Sequence, residues 1–353
     1  MHRIPLLLLV GVLGLCGCTG IGPRTIPRDR FDYNAAIADS WKRQMLYNLV
    51  KIRYGDAPVF MDVSSVISQY QIAGQINLGA TINNNPWSSS ESMGATGNYV
   101  ERPTITFTPV VGDKFARSLM SPIPPAAVLS LIQGGYPVDL ILRALVHEIN
   151  GLRNRFGGDL RTSPMTPEFH ELVRTMRKIQ AAGAIGMRHT RMDQGESALL
   201  VIRGRGDPAV EALSQQVRGL LHLNPQADEF RVAYGAIPKD DREIAILTRS
   251  VLEVLVDISA DIEVPAADVQ EKRVAPAAAQ TVAGQSVPPL IRIQSAAAKP
   301  SDAFVSVAYR GTHFYIDDRD LGSKKLFTFL MFVFTLVETG DKGGAPVVTI
   351  PTG

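Results

Sequence analysis

The chain has 353 residues but only two cysteines, Cys16 and Cys18. The segment that follows Cys18 can therefore form no internal disulfide and no cysteine-ligated metal site. It also lacks a dense basic run, and 36 basic residues against 34 acidic ones leave a formal net charge of +2. Neither property is typical of a protein that binds nucleic acid, so we expect no nucleic-acid partner.

Long hydrophobic runs are absent after the N-terminus. The longest, Leu326–Val337, has 12 residues, and as a helix it would reach about 18 Å, short of the ~30 Å hydrocarbon core of a bilayer. We therefore expect a buried helix there. A composition of 45% hydrophobic and 20% charged residues predicts a globular protein, and the length allows two domains at ~100–200 residues each.

The N-terminus carries short basic and apolar segments in the order of a signal peptide. His2 and Arg3 precede the apolar stretch Ile4–Leu15, which is too short for a membrane span but suits a signal peptide. Its end, Leu15-Cys16-Gly17-Cys18, resembles the lipobox of bacterial lipoproteins. The alternative is an ordinary signal peptide that contains two cysteines.

The lipobox resemblance implies a lipid anchor. It implies that residues 1–17 are a signal peptide, that cleavage occurs before Cys18, and that Cys18 is acylated on its thiol and amine, with residues 18–33 as a lipidated tether. Thr19 rather than Asp at the next position implies, by analogy with lipoprotein sorting in enteric bacteria, the outer membrane with the chain facing the periplasm. The membrane is then a partner through the N-terminal lipid.

Hydrophobic periodicity predicts an α+β fold in two domains. Residues 34–183 should form a helical N-terminal half with a long amphipathic β-hairpin at about 69–108. Residues 184–353 should form a mixed α/β half with a short antiparallel sheet and a flexible Ala/Pro-rich loop at about 264–289. The predicted helices are 34–54, 121–135, 137–154, 166–182, 208–221, 241–260 and 324–338. The predicted strands are 185–191, 198–203, 228–235, 290–294 and two within 304–316.

The hairpin is the most regular pattern in the sequence. Apolar residues alternate with polar ones over Tyr70–Ile82, and a second run, Met93–Thr108, can fold back on the first. Pairing Ile76 with Tyr99 and Tyr70 with Ile105 places these four residues on one apolar face. The residues we expect to contact a membrane or a partner are Tyr70, Ile72, Ile76, Leu78, Ile82, Trp87 and Tyr99. There are two alternatives for this face. It packs on the protein's own helices or on a partner, or it faces lipid in a barrel that a ring of protomers closes, each donating one hairpin.

Familiar catalytic and metal-binding motifs are absent. His147-Glu148 lacks the second histidine of a zinc-binding HExxH helix, and there is no GxSxG, SxxK or phosphate loop. Asp317, Asp318 and Asp320 lie close in sequence, but they lack the frame of a calcium loop and are better explained by helix capping and surface pairing. We therefore predict no metal, no cofactor and no catalytic residue, and whether the chain is an enzyme stays open.

Residues 21–60 resemble the start of a group of bacterial envelope lipoproteins, a resemblance that implies no catalytic residue. It rests on IGPRTIPRDRFDYNAAIADSWKRQMLYNLVKIRYGDAPVF. The leading hypothesis is a non-enzymatic structural or assembly subunit of an envelope complex, with a homo-oligomer or an envelope protein as partner. One alternative is an oligomeric export pore to which each protomer donates a hairpin. Another is a tethered periplasmic enzyme acting on envelope polymer, which requires Glu148, His313, Asp317 and Asp318 to meet in a cleft.

Overall fold

The protein has a mixed α/β fold with several sheets. The computed structural model describes residues 21–67, 70–81, 90–101, 104–158, 161–192, 195–203, 206–277, 281–282 and 284–338. The chain divides into two compact units. Unit 1 contains Met61–Pro109 and the residues up to Trp41, and unit 2 contains Lys42–Phe60 and the residues from Val110 onward.

The secondary structure elements are numbered here in chain order. The helices are α1 (Ile21–Arg53), α2 (Asp113–Met120), α3 (Pro125–Gln133), α4 (Val138–Leu145), α5 (Pro167–Ala181), α6 (Pro208–Leu220), α7 (Val251–Ala260), α8 (Ala266–Gln270) and α9 (Leu321–Glu338). The strands up to residue 163 are β1 (Met61–Ile67), β2 (Tyr70–Thr81), β3 (Ser90–Glu101), β4 (Thr104–Pro109), β5 (Val146–Ile149), β6 (Leu152–Arg153), β7 (Phe156–Gly158) and β8 (Arg161–Ser163). The later strands are β9 (Ile185–Met192), β10 (Gly195–Ile202), β11 (Glu229–Tyr234), β12 (Glu243–Thr248), β13 (Thr281–Val282), β14 (Gln285–Ser286), β15 (Gln294–Ala296), β16 (Ala303–Tyr309) and β17 (Thr312–Asp317).

Helix α1 begins earlier than predicted. It starts at Ile21, so the described part of the predicted tether, residues 18–33, is helical. Pro23 lies in the first turn, where its missing N–H would have no helical partner in any case, while Pro27 removes one interior hydrogen bond. The C-terminal turns of α1 carry its buried apolar residues, including Met45 and Leu49.

Unit 2 is organised around a six-stranded sheet. Its strand order is β6-β5-β12-β11-β10-β9, in which β11 and β12 are parallel and all other neighbours are antiparallel. Helices α3, α4, α5 and α6 bury apolar side chains in the same core as the sheet. Strands β5 and β6 precede the predicted domain boundary at residues 183–184, and the other four strands follow it. The sheet therefore contains residues from both predicted domains.

Two predicted helices are only partly correct, because central strands resemble helices in sequence. Residues 137–154 form α4 and then the hairpin β5–β6, and residues 241–260 form β12 before α7. The consecutive residues Ile244, Ala245 and Ile246 of β12 are all buried, and strands that are buried on both faces read as nearly continuous apolar runs without a clear period. The β5–β6 turn is Asn150-Gly151, with φ of 45° and 84°, which is a known hairpin signal that the sequence analysis missed.

Local capping and turn signals mark the ends of several elements. Helix α3 begins at a proline and ends before Gly134, and α5 follows Thr166, whose hydroxyl accepts a hydrogen bond from the N–H of Phe169. Strands β16 and β17 flank Arg310-Gly311, both with positive φ. With β15 they form a three-stranded antiparallel sheet. The apolar run of α9 is largely buried, as predicted, although Phe332 remains 61% exposed.

The Ala/Pro-rich segment 264–289 is more ordered than predicted. It contains α8 and the short strands β13 and β14. Val274, Val282 and Val287 are at most 7% exposed. The described part of this segment therefore packs on the core of unit 2, to which it belongs, because its valines supply apolar contacts.

Candidate functional site

Where the structure describes them, the residues predicted to contact a membrane or a partner lie on strands β2 and β3 of unit 1. Cys18, Ile82 and Trp87 lie outside the described residues. Strand β2 carries Tyr70, Ile72, Ile76 and Leu78, and β3 carries Tyr99. The two strands pair antiparallel.

The register of β2 and β3 differs from the predicted one. Ile76 pairs with Ala95 rather than Tyr99, and Tyr99 pairs with Ile72, so the register is shifted by four residues. A shift by an even number keeps the same residues on the same face, which is why alternation alone did not distinguish the two registers. Ile105 pairs with Val66 of β1 and not with Tyr70.

Strands β1 and β4 form a ribbon with one wholly apolar face. The register places Phe107 opposite Val63 and Ile105 opposite Val66. An irregularity between Val63 and Ser65 inserts one extra residue, which keeps Val66 on the face of Val63. We call this set the apolar ribbon face: Met61, Val63, Val66, Ile105, Phe107 and Pro109. The opposite face pairs Asp62 with Thr108 and Ser65 with Thr106.

The apolar ribbon face is open to solvent in the single chain. Phe107 is 52% exposed, Ile105 44% and Met61 41%. The described residues place β1 and β4 in a sheet of two strands only. A two-stranded ribbon with one apolar face is marginal in water by itself, and contiguous exposed apolar residues mark interaction sites. This face is therefore the strongest candidate for a contact surface in unit 1.

The acidic residues before α9 serve local structure. Asp320 accepts hydrogen bonds from the N–H and hydroxyl of Ser323, at 3.0 and 2.8 Å, and the N–H bond lowers the pKa of Asp320. Asp318 pairs with Lys324 at 2.6 Å. The predicted capping and surface pairing are thus confirmed, and Asp320 occupies the capping position.

The residues of the enzyme hypothesis do not share a sheet. Asp317 and His313 lie on β17 of the three-stranded sheet, where Asp317 accepts a hydrogen bond from the N–H of Arg319. Glu148 lies on β5 of the six-stranded sheet, paired with Leu247. Asp317 and Asp320 line a groove of about 500 Å³, but neither His313 nor Glu148 does. The four residues therefore do not converge on one cleft.

His147 lies on a strand and not on the predicted helix. Its Nε2 lies 3.3 Å from an oxygen of Glu253. Burial raises the pKa of Glu253, but the N–H of Ser250 and the neighbouring His147 outweigh this effect, so the pKa is lowered overall. Ser250 and Glu253 also form a capping box at the start of α7. No group of three or more potential metal ligands occurs in the part of the chain that the structure describes.

A buried cluster of ion pairs was not predicted. The guanidinium of Arg249 is fully buried and lies 2.9 Å from the carboxylate of Asp257, and burial lowers its pKa despite this partner. Arg155 binds Asp261 through two hydrogen bonds of 2.5 and 2.6 Å. Asp257 also accepts a hydrogen bond from the N–H of Gly157. The cluster balances two positive charges with two negative ones and joins α7 to β7, which is the arrangement of a structural element.

Comparison with known proteins does not add to this picture. The chain matches no family model, no curated protein and no solved structure. Among the described residues, no helix has both the length and the hydropathy required to cross a membrane.

Proposed function

We propose that this protein is an outer-membrane-anchored lipoprotein, facing the periplasm, that acts as a non-enzymatic structural or assembly subunit of a bacterial envelope complex. Its architecture in this proposal is a helical N-terminal half that carries a long amphipathic hairpin, followed by a mixed α/β half. The lipobox-type sequence that ends at Cys18 supports the anchor. The exposed apolar ribbon face carries the assembly role.

The partner that best fits the ribbon is another copy of the same chain. Within the part of the chain that the structure describes, β1 and β4 form a sheet of two strands, and such a sheet can be extended by another strand at its edge. A second ribbon supplies both an apolar face and a complementary edge. No charged residue belongs to the apolar ribbon face, so its burial against a copy has no charge desolvation cost.

An oligomeric export pore is the second candidate, supported by β2 and β3, whose 12 residues each exceed the ~9–11 residues of a membrane-spanning strand. Lipid tolerates no open strand edge, so a membrane-inserted ribbon requires protomers that close a barrel. If each protomer contributes two strands, eight protomers provide 16 strands, about the number at which a barrel encloses an aqueous channel. The two candidates therefore differ in the number of copies and in ring closure.

Native mass tests the proposal. We would extract the acylated protein in detergent and determine its mass by light scattering with the detergent contribution subtracted. We expect an oligomer for the natural chain and a monomer for Phe107→Asp, because an aspartate buried in the apolar interface would be an unpaired charge. The matched control is Thr106→Asp, which adds the same charge to the neighbouring position on the polar face and should keep the oligomer.

Each outcome of this experiment has a definite meaning. A closed ring of about eight or more protomers favours the pore, and removal of residues 61–109 should then abolish the ring. A smaller oligomer that only Phe107→Asp dissociates supports the assembly subunit. A monomeric natural chain with no co-purifying envelope protein would contradict both.

A further inference from the structure

A second apolar surface lies in unit 2, along α9. It is a trough of about 410 Å³ between α9 and the segment that leads into α4. We call it the α9 trough. It is lined by Tyr136, Pro137, Leu140, Ile141, Phe304, Leu321, Lys324, Lys325, Leu326, Thr328, Phe329 and Phe332. Its volume lies within the range of about 300–1,000 Å³ that is usual for pockets that bind small molecules.

The wall of the trough is apolar and partly open to water. The rings of Tyr136 and Phe329 contact each other with centroids 5.1 Å apart. Leu321 is 59% exposed and Phe332 is 61% exposed. On α9 the lining residues other than Leu326 recur mainly at spacings of three and four, so they form one face of the helix. An apolar ligand in the trough would remove these side chains from water, which is favourable in proportion to the area covered.

The charged residues that line the trough are all positive. They are Lys324 and Lys325, and no carboxylate of the described residues lines the trough. Lys324 is neutralised by Asp318, at 2.6 Å, and also lies over the ring of Phe304. Lys325 is exposed and makes no ion pair within the described part of the chain. The trough therefore combines an apolar wall with one uncompensated positive charge.

We propose that the α9 trough binds one acyl chain of a free fatty acid, with its carboxylate at Lys325. The apolar wall suits a hydrocarbon chain, and the single uncompensated lysine suits a single carboxylate. A trough of this volume accommodates one chain, which favours a fatty acid over a two-chain phospholipid. This binding site does not depend on the ribbon or on its assembly.

Photolabelling of the full chain in lipid nanodiscs tests the proposal. The probe is a dodecanoate that carries a diazirine, and labelled peptides are mapped after irradiation. We expect labelling within residues 136–141 and 321–332 that excess unlabelled dodecanoate removes. Lys325→Gln should lower this labelling about two- to fivefold, the effect of losing an exposed ion pair. The same substitution should not affect labelling by the uncharged dodecanol analogue.

Two further variants show whether the site is specific. Phe332→Asp should abolish labelling, because it places a negative charge on the wall that the hydrocarbon covers; Phe332 is largely exposed, so the chain should still fold. Lys299→Gln removes an exposed lysine that does not line the trough and should change nothing. Labelling that dodecanoate does not displace, or that persists in Phe332→Asp, would overturn the proposal. Displacement by an apolar peptide but not by dodecanoate would equally overturn it, because it would indicate a protein partner.

Discussion

Removal of the Asp257 carboxylate should destabilise unit 2 severely, because it leaves the guanidinium of Arg249 buried and unpaired. The side chains of Arg249 and Asp257 are 0% and 4% exposed, so water cannot replace the lost partner. Breaking one side of a buried ion pair costs about 3–5 kcal/mol. The N–H of Gly157 loses its acceptor as well. We therefore expect the free energy of unfolding of Asp257→Ala to fall by about 4–5 kcal/mol.

A double-mutant cycle separates the ion pair from the other contacts of Arg249. The guanidinium also donates to the backbone carbonyls of Arg143 and Ala144, at 3.1 and 3.2 Å, and to that of Arg155. Arg249→Met alone leaves these carbonyls without the donor and Asp257 without its cation. In the double variant the carbonyls remain unsatisfied but no unpaired charge is buried. We expect its loss to be smaller than the sum of the single losses by about 2–3 kcal/mol.

Equilibrium unfolding in urea measures each corner of the cycle, with circular dichroism as the signal. The matched control is Asp302→Ala, which breaks the exposed pair between Asp302 and Arg319, where the side chains are 59% and 80% exposed. An exposed pair contributes at most about 1 kcal/mol. If Asp257→Ala costs no more than Asp302→Ala, or if the two single losses are additive, the reasoning about the buried pair is wrong.

Two smaller predictions concern helix capping and turn geometry. Because the pKa of Glu253 is lowered in the folded chain, its ionised form contributes stability that is fully present above the unfolded value of about 4.3 and is lost as pH falls through the folded value. The difference in urea midpoint between the natural chain and Glu253→Gln should therefore be fully present at neutral pH, shrink as pH falls below about 4.3 and vanish only below the folded pKa. Ser250→Ala should cost about 1 kcal/mol at neutral pH. Gly151→Ala should cost about 1–2 kcal/mol, because φ of 84° disfavours a side chain even though nothing lies within 4 Å. Gly219→Ala in helix α6 should have the opposite effect on the free energy of unfolding. The space around this residue is also open, and alanine should stabilise the chain by about 0.5–1 kcal/mol in thermal or urea unfolding. If both substitutions changed the free energy of unfolding in the same direction, the backbone argument would be wrong.

Local signals explain why some elements were predictable. Thr166-Pro167 and Asp207-Pro208 both place a capping side chain before a proline at the first helical position, and α5 and α6 begin at these prolines. The energies involved depend on a few neighbouring residues, so the sequence alone contains them. The same holds for the Arg310-Gly311 turn between β16 and β17.

Central strands were harder to predict because their environment is set by distant segments. Strand β12 lies between β11 and β5 in the sheet, and both of these strands precede it in the chain. An apolar run such as Glu243–Thr248 suits either a buried strand or a buried helix, and only the neighbours decide between them. The turn at Asn150-Gly151 and the capping box of Ser250 and Glu253 were local signals that marked both boundaries.

The sequence was sufficient to predict which residues of β2 and β3 share a face, because side chains alternate along a strand whatever its partner. It also determined the beginnings of the capped helices and the absence of cysteine chemistry after Cys18. Only the tertiary structure decided the burial of Arg249 beside Asp257 and the apolar trough along α9, because both depend on segments that are distant in the chain and meet only when the protein folds. The register of β2 and β3 was not predictable for another reason, because an even shift keeps the same residues on the same face and leaves no periodic signature in the sequence.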